Sequence, residues 1–274
     1  MNIFMKNEYD TLLYCLAASP YHLQVTGNSN PFAPKLDKEL ACTQHQRLIT
    51  ILRESDVTVE FLNKNESPSQ VFTKDIGFVI EDILFISNMA QSIRQAEIKE
   101  LMASIEDKDI KIHRMAGTIE GGDVLLHNDK IFIGQGGRTT ARAVEEIREV
   151  LQRNHIDYEL IRVLFDTSKI HLDCVFNILD RDTCILSDEV YNPDVITSVF
   201  SNIIKASKED TDNLAPNIIN LGNRQVLCSN ENLKNLLLSH GYHPKFIDFS
   251  EIMKASGSIG CCFLPMLRKH NDRI

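Results

Sequence analysis

Residues 124–133 of the chain read Val-Leu-Leu-His-Asn-Asp-Lys-Ile-Phe-Ile, two apolar runs that flank a polar pair. Asn and Asp favour tight hairpin turns, so this stretch predicts two antiparallel strands. The chain then places apolar side chains at helical spacing from Thr139 or Thr140 to about Arg153. Residues 158–165 predict one more strand. The sequence therefore predicts a unit of strand, turn, strand, helix and strand.

The same unit recurs along the chain. Its second strand begins near Ile83, Ile131, Thr183 and Gln225, a spacing of about 40 to 55 residues that is typical of propeller-like arrays. Such a unit cannot bury its own apolar face, so the units are expected to stack around a common axis. The predicted elements are strands at 78–80, 83–86 and 110–113 with a helix at 89–105, strands at 175–178 and 183–186 with a helix at 195–206, and strands at 217–221, 225–228 and 245–249 with a helix at 231–240.

The two ends of the chain supply a fifth unit. Residues 11–18 and 259–267 are apolar, and we expect these two strands to pair. A helix is predicted at 38–54. Residues 19–36 are rich in Pro, Gly and Asn and predict a loop, with a mobile lid over the site as the functional alternative. We therefore expect residues 1–274 to form a single α/β domain.

The composition is that of an ordinary globular protein. Hydrophobic residues make up 43% and charged residues 24%, and the net charge of −9 argues against a general nucleic-acid binder. The seven cysteines show no Cys-x-x-Cys spacing, which favours small buried side chains over a metal site or a disulfide framework. No signal peptide or membrane span is recognisable. We expect a cytoplasmic protein without a metal or cofactor; homo-oligomerisation stays open.

Four short motifs carry side chains capable of chemistry. Together they supply a thiol, an imidazole and several carboxylates. Each motif has a plain structural alternative: the paired cysteines could be core residues, the paired glycines could only make a turn, and a lone His is more often structural. The motifs are Phe72-Thr73-Lys74-Asp75, Glu120-Gly121-Gly122-Asp123, His171-Leu172-Asp173 and Gly260-Cys261-Cys262-Phe263-Leu264-Pro265.

With these motifs in this order, the chain resembles the guanidine-modifying (pentein) superfamily, which includes dimethylargininase, arginine deiminase and amidinotransferases. The resemblance covers nearly the whole chain. It implies a fivefold pseudosymmetric α/β-propeller of ββαβ-type repeats. It also implies covalent catalysis, in which a cysteine attacks the central carbon of a guanidinium group and forms a thiouronium intermediate.

The resemblance assigns roles to individual residues. Cys261, four residues before Pro265, matches the nucleophile. His171 matches the residue that protonates the leaving amine and then activates water, and Glu120 matches the carboxylate beside it. Asp75 and Asp173 match the aspartates that bind the guanidinium group, whose fixed N–H donors suit carboxylates.

Two arginines are candidates for binding a carboxylate of the substrate. Arg94 lies nineteen residues after Asp75, and Arg138 lies eighteen after Glu120, spacings similar to those of the family. Arg94 could instead be a solvated helix residue, and Arg138 could simply precede a helix start. Three histidines, His113, His127 and His155, are interpreted as surface residues.

Several departures from the family pattern leave the substrate open. Lys74 stands where arginine deiminases usually have Arg and dimethylargininases often have Glu, and Ser69 replaces a common Asp or Asn. The compact chain favours a dimethylargininase-type hydrolase that gives citrulline. Asp173 favours arginine deiminase, because dimethylargininases commonly lack that Asp. An amidinotransferase would use the same residues, and a non-catalytic propeller would be expected to lack the Cys, His or Glu.

Overall fold

The structure, a computed structural model, describes residues 2–25 and 35–270. The strands are β1 (Thr11–Ala17), β2 (Thr58–Phe61), β3 (Gly77–Ile80), β4 (Ile83–Ile86), β5 (Lys111–Arg114), β6 (Val124–His127), β7 (Lys130–Gly134), β8 (Glu159–Val163), β9 (Phe176–Ile178), β10 (Thr183–Ser187), β11 (Asn202–Ala206), β12 (Ile219–Gly222), β13 (Gln225–Cys228), β14 (His243–Phe246) and β15 (Leu264–Lys269). The helices are α1 (Lys38–Glu54), α2 (Gln95–Ile105), α3 (Ala141–Arg153), α4 (Asp194–Thr197), α5 (Lys208–Asp212), α6 (Glu231–Ser239) and α7 (Ser250–Met253).

The strands form five three-stranded sheets with one shared topology. Four sheets follow chain order, β3-β4-β5, β6-β7-β8, β9-β10-β11 and β12-β13-β14. In each, the first strand is antiparallel to the middle strand, and the third strand is parallel to it. The fifth sheet, β15-β1-β2, joins the two ends of the chain through antiparallel pairing of Thr11 with Lys269. The predicted fivefold α/β-propeller and its closure by the chain ends are confirmed.

Local sequence explains the second unit well. The turn between β6 and β7 holds Asn128 at a φ of 53°, a backbone conformation that Asn tolerates. All side chains of β6 are buried, as are four of the five in β7. Thr140 caps α3 by accepting from the backbone N–H of Ala143, and the apolar stripe at Val144, Ile147 and Leu151 is buried against the core.

The third unit corrects one prediction. Residues 195–206 were expected to be one helix, but only the four residues of α4 are helical. The strand β11 follows and pairs in parallel with β10, from Thr183↔Asn202 to Ser187↔Ala206. Ile203 and Ile204 are β-branched, which favours the pleated conformation once a partner strand is present.

Smaller corrections concern element ends and burial. Helix α2 begins at Gln95 rather than near residue 89, and Ile93, assigned to its apolar stripe, is 56% exposed. The strand predicted at 245–249 is β14. His127 is not a surface residue: it is buried, with its ring 4.5 Å from that of Phe200. Cys261 lies in a 3₁₀ turn just before β15 rather than in a strand.

Half of the predicted lid lies outside the described residues, since 26–34 are not among them. Within its described part, Pro20–His22 form a short 3₁₀ turn. Across residues 2–25 and 35–270, no helix has the length and apolar character needed to cross a membrane.

Candidate active site

Four short 3₁₀ turns place the four motifs at one end of the propeller. The turns Thr73–Ile76, Gly121–Asp123, Leu172–Cys174 and Ile259–Cys262 come directly before, or within a residue or two of, the first strands of their sheets. The first turn contacts the second and the fourth, and the second also contacts the third. Stacking the units around an axis therefore brings side chains from distant parts of the sequence together.

The paired glycines of the second motif are required by this close approach. A Cβ atom on Gly121 would lie 2.2 Å from the carbonyl oxygen of Lys74, and one on Gly122 would lie 2.7 Å from Cγ of His171. No side chain fits at either distance. The Glu-Gly-Gly-Asp sequence is thus more than a simple turn, because it lets two other site motifs pack against it.

His171 lies between two carboxylates. Its Nε2 is 2.8 Å from Oε2 of Glu120, and its Nδ1 is 3.5 Å from Oδ1 of Asp75. Burial favours the neutral ring, but Asp75, Glu120 and Asp123 outweigh it and raise the pKa of His171 to about 10. The imidazole is therefore protonated at neutral pH.

Glu120 is the centre of the network and is fully buried. Its carboxylate accepts hydrogen bonds from His171, from Nη1 of Arg138 at 3.1 Å and from the backbone N–H of Ala90 at 3.0 Å. Burial opposes its ionisation, but His171 and the guanidinium groups of Arg138 and Arg94 lower the pKa of Glu120 to about 2. Glu120 is consequently a stable anion.

Arg94 is buried and is already occupied by protein acceptors. Nη1 donates to Oδ2 of Asp75 at 2.6 Å, Nε and Nη2 donate to Glu97, and Nη2 also donates to the carbonyl of Phe72. The Glu97 carboxylate is held in turn by Oγ of Ser67 at 2.5 Å. The solvated-helix interpretation of Arg94 is wrong. Its role toward a substrate carboxylate stays a prediction that requires it to exchange partners.

Asp75 keeps one unused acceptor. Its Oδ1 is buried and has no hydrogen-bond partner within the described part of the chain, although the protonated His171 ring is 3.5 Å away. An unsatisfied buried carboxylate oxygen is costly. A bound N–H donor at this position would remove that cost.

The aspartates of the second and third motifs have different surroundings. Asp123 accepts from Oγ1 of Thr139 at 2.6 Å and from the N–H of Leu172 at 2.9 Å, so it ties two of the turns together, and burial raises its pKa to about 7. Burial likewise raises the pKa of Asp173 to about 6. The contact of Asp173 with Sγ of Cys174, at 3.6 Å, is a weak one.

Cys261 is buried, with its Sγ 3.6 Å from Oδ1 of Asn217. Burial, followed by the electrostatic effects of Asp173, Cys174 and Asp75, raises its pKa well above the ordinary value. These effects favour the neutral thiol over the thiolate. Cys262 is also fully buried, and its side chain packs in the apolar core.

The structure thus gathers every predicted site residue at one end of the propeller. Asp75, Arg94, Glu120, Arg138 and His171 form one network of direct contacts. Asp173 and Cys261 lie close enough to interact electrostatically with it and with each other. Sequence reasoning missed Asn217 and Glu97. The available signal for Asn217 was its position two residues before the first strand of its sheet, the same position that Asp75 has before β3.

Asp75, Glu120 and His171 are also of the residue types that hold metal ions, with potential ligand atoms within 4.8 Å of one another. Metal binding requires a neutral imidazole nitrogen. The raised pKa of His171 opposes that state, and its two nitrogens already face Glu120 and Asp75. The cluster is better described as an ion-pair network than as a metal site.

An open groove of about 550 Å³ lies elsewhere, at the hairpin turns, and is lined by residues including Glu81, Asn128 and Tyr158. It contains none of the network residues. The buried charged groups, and not this groove, therefore locate the candidate site.

The fold consists of five ββαβ-type units, and carboxylates, guanidinium groups, an imidazole and a thiol are buried together among them. With the family match given next, these features define a guanidine-modifying hydrolase of the pentein superfamily. The family model described as N,N dimethylarginine dimethylhydrolase, eukaryotic, matches residues 27–268, and the chain belongs to this family.

One relative is similar over nearly the whole chain, and two solved structures share the fold. Uncharacterized protein YkgA of Bacillus subtilis is 31% identical, over 96% of this chain and 94% of its own length. A Pseudomonas aeruginosa dimethylarginine dimethylaminohydrolase variant complexed with citrulline superposes with a TM-score of 0.80 at 23% identity, over 93% of this chain and 99% of the other. The product-bound N-terminal domain of ArgZ, a cyanobacterial arginine dihydrolase, gives a TM-score of 0.84 at 23% identity, over 94% and 98%.

Proposed function

We propose that this protein hydrolyses the guanidinium group of arginine or a methylated arginine, in the manner of a dimethylargininase, through a thiouronium intermediate on Cys261. The observation that carries the proposal is the protonated His171 held between Glu120 and Asp75, with Oδ1 of Asp75 left unsatisfied. A planar cation with N–H donors fits that unused acceptor.

The substrate itself completes the electrostatics. In the empty site the carboxylates of Asp173 and Asp75 oppose ionisation of the Cys261 thiol. A guanidinium group between them reverses the sign of the local field and favours the thiolate, because an opposite charge nearby stabilises the charged form. The thiol proton leaves to solvent as the cation enters. The nucleophile is therefore formed mainly when a substrate is present.

His171 starts the reaction as an acid. The thiolate attacks the central carbon and forms a C–S bond. The C–N bond to the terminal amine breaks as His171 gives its proton to that amine. The neutral ring then takes a proton from water, whose oxygen attacks the thiouronium carbon. Cys261 leaves as the thiolate, the proton of the added hydroxyl group passes to the released amine or to solvent, and the product carries a neutral ureido group, as in citrulline.

Asp173 supports arginine deiminase as the second candidate. It is buried, and its one hydrogen-bond partner in residues 2–25 and 35–270 is the weak S–H donor of Cys174. An unsubstituted terminal nitrogen of arginine offers N–H donors to this carboxylate, whereas a dimethylated nitrogen offers none. Burying a carboxylate against two methyl groups is unfavourable. The family model supports the methylated substrate, so the two candidates rest on different observations.

Cys261→Ser tests the chemistry. We expect turnover to vanish while thermal unfolding and substrate binding stay close to those of the parent, because only one atom changes. Cys262→Ala is the matched control, since it removes the neighbouring buried thiol of the same turn and should retain turnover. Undiminished turnover in Cys261→Ser would reject the proposal.

Mass spectrometry of the products identifies the substrate. The protein is incubated with arginine or with dimethylarginine, each with and without glycine or ornithine. Ammonia and citrulline from arginine indicate a deiminase, and dimethylamine and citrulline from dimethylarginine indicate a dimethylargininase. A new amidino compound that forms only with the added amine indicates an amidinotransferase. Asp173→Ser should shift the ratio of the two hydrolytic rates toward dimethylarginine.

A further inference from the structure

Asn217 is a buried amide next to the thiol of Cys261, and no motif of the sequence drew attention to it. It is 1% exposed and lies two residues before β12. The preceding loop is held in an unusual shape, with Leu214 at a φ of 55°, a region that bulky residues rarely adopt. The amide nitrogen of Asn177 donates to the carbonyl of Pro216 at 3.0 Å and fixes this loop.

The amide also presses against the turn that carries Cys261. A Cβ atom on Gly260 would lie 2.9 Å from Oδ1 of Asn217, so glycine is needed for the approach. Backbone strain and a close approach of this kind are found where a side chain must be held in one place. Here the side chain of Asn217 is held in contact with Sγ of Cys261.

Only one side of the amide is used. Oδ1 is positioned to accept from the Cys261 thiol at 3.6 Å, whereas Nδ2 is buried without a hydrogen-bond partner in the part of the chain that the structure describes. An unsatisfied buried N–H group destabilises the fold. The arrangement suits the neutral thiol, but it turns an oxygen lone pair toward the sulfur, which would repel a thiolate.

We propose that Asn217 is the positioning residue of Cys261, accepting from the thiol in the empty site and donating Nδ2–H to the thiolate after the amide turns over about its Cβ–Cγ bond. This rotation of the amide exchanges the positions of Oδ1 and Nδ2, which have similar size. No covalent bond changes. Oδ1 then occupies the position of the formerly unsatisfied nitrogen, where an N–H donor of the bound guanidinium group can reach it.

The surroundings of the sulfur show why a donor is needed. Asp173, Cys174 and Asp75 face Cys261 from the neighbouring turns, and all three oppose a negative charge on it. His171 is committed to Glu120 and Asp75. The backbone of Ser258 already favours the thiolate, and Asn217 is the neutral side chain in contact with Sγ that can supply a further N–H without adding charge.

The inference rests on the proposed function, and its test is labelling of Cys261 by 2-chloroacetamidine, read by peptide mass spectrometry from pH 7 to 9. The variants are Asn217→Leu, which keeps the volume and removes both polar atoms, and Asn217→Ala, in case the larger side chain prevents folding. Below the thiol pKa the labelling rate is proportional to the thiolate fraction, so one pKa unit appears as a tenfold change in rate.

The sign of the change decides the question. Loss of a donor to the thiolate should lower the labelling rate about tenfold at every pH and lower kcat about tenfold, with KM changed less than threefold. If the amide only accepts from the thiol, its removal destabilises the neutral form of Cys261, and labelling should become faster. Labelling that is unchanged within twofold, or faster, overturns the inference.

Asn177→Ala is the matched control. It removes the hydrogen bond to Pro216 and loosens the same loop without touching the sulfur, so we expect a lower unfolding temperature with labelling within twofold of the parent.

The two proposals fail in different ways. Turnover in Cys261→Ser would reject the nucleophile, whereas equal labelling of parent and Asn217→Leu at Cys261 would reject only the role of Asn217.

Discussion

Glu120→Gln removes one charge from the centre of the buried network while keeping nearly the same shape. The amide oxygen can still accept from the N–H of Ala90, but the ion pairs with His171 and Arg138 are lost. His171 then keeps Asp75, at 3.5 Å, as its remaining direct carboxylate neighbour. The substitution therefore tests whether Glu120 holds the proton of His171.

The magnitude follows from the geometry. A hydrogen bond between charged groups contributes about 1.5–3 kcal/mol, which corresponds to about 1–2 pKa units. The pKa of His171, raised to about 10 in the parent, should fall to about 8 to 9 in the variant. Removing one partner of a buried ion pair also costs stability, so we expect the free energy of unfolding at pH 7 to drop by about 3–5 kcal/mol.

The pH dependence gives the sharper test. Because the folded-state pKa of His171 is above its ordinary value of 6.5, its proton stabilises the fold fully below pH 6.5 and ceases to do so as the pH rises through about 10. The variant loses the same proton earlier. The stability difference between parent and variant should therefore shrink between pH 8 and 10, by about 1.4 kcal/mol for each unit by which the two pKa values differ.

Urea unfolding at pH 7, 8, 9 and 10, with NMR titration of the His171 ring, measures both quantities. Raised Tyr and Cys pKa values affect both proteins equally, so they cancel in the difference. Glu146→Gln is the matched control, because Glu146 also pairs with a histidine, His113 at 2.9 Å, in a partly exposed position. Its cost should be smaller, because this pair is partly exposed. A stability difference for Glu120→Gln that does not change from pH 8 to 10 would refute the reasoning.

Three further results are expected. Gly122→Ala should lower kcat at least a hundredfold, since its Cβ would lie 2.7 Å from Cγ of His171; parent-like kinetics would contradict the assigned packing. Arg138→Gln should raise KM for arginine more than it lowers kcat, because the guanidinium group of Arg138 is partly exposed and is a candidate for binding the substrate carboxylate; a pure kcat effect would reject carboxylate binding. Burial lowers the pKa of His127 to about 4, so this residue makes the fold less stable as the pH falls from 6.5 to 4. In urea unfolding, His127→Phe should reduce the loss of stability over this range by about 3 kcal/mol. The same pH dependence in parent and variant would rule out this role of His127.

The repeat made most of the fold predictable. Short apolar runs around polar turns locate the hairpins, and one turn, at Asn223-Arg224, has positive φ at both residues, as a type I′ hairpin turn requires. The two chain ends could be paired because each left an apolar strand without a partner. Domain count was inferred in the same way, and a single domain over 1–274 stays a prediction that one cooperative unfolding transition would support.

The errors arose where local pattern and tertiary pairing compete. Residues 202–206 have a helix-compatible spacing of apolar side chains, but β10 offers a parallel partner, and strand formation buries Ile204. Ile93 fits the stripe of α2 by spacing alone, yet the chain enters that helix only at Gln95, because Arg94 is held by Asp75 and Glu97. A single sequence does not show such partners.

The candidate site was predictable to the extent that its chemistry is concentrated in motifs. Asp75, Glu120, His171 and Cys261 stand in short recognisable stretches, whereas Asn217 follows an ordinary Ala-Pro pair and an amide carries no obvious chemistry. Its contact with Cys261 depends on how two propeller units abut. A neutral residue that acts on another residue's charge leaves no signal in composition or spacing.

Charge compensation links the fold to the proposed substrate. In the network, the carboxylates of Asp75, Glu97 and Glu120 are matched by the cations of Arg94, Arg138 and His171. Lys74 and Glu8 compensate each other at 3.7 Å. Asp173 is left without a charged partner in direct contact among these groups, although it lies beside the proposed nucleophile. Burying an uncompensated carboxylate is costly, and a monovalent guanidinium group removes that cost, whereas a neutral ureido product does not. The same imbalance that favours entry of the cation therefore favours release of the product.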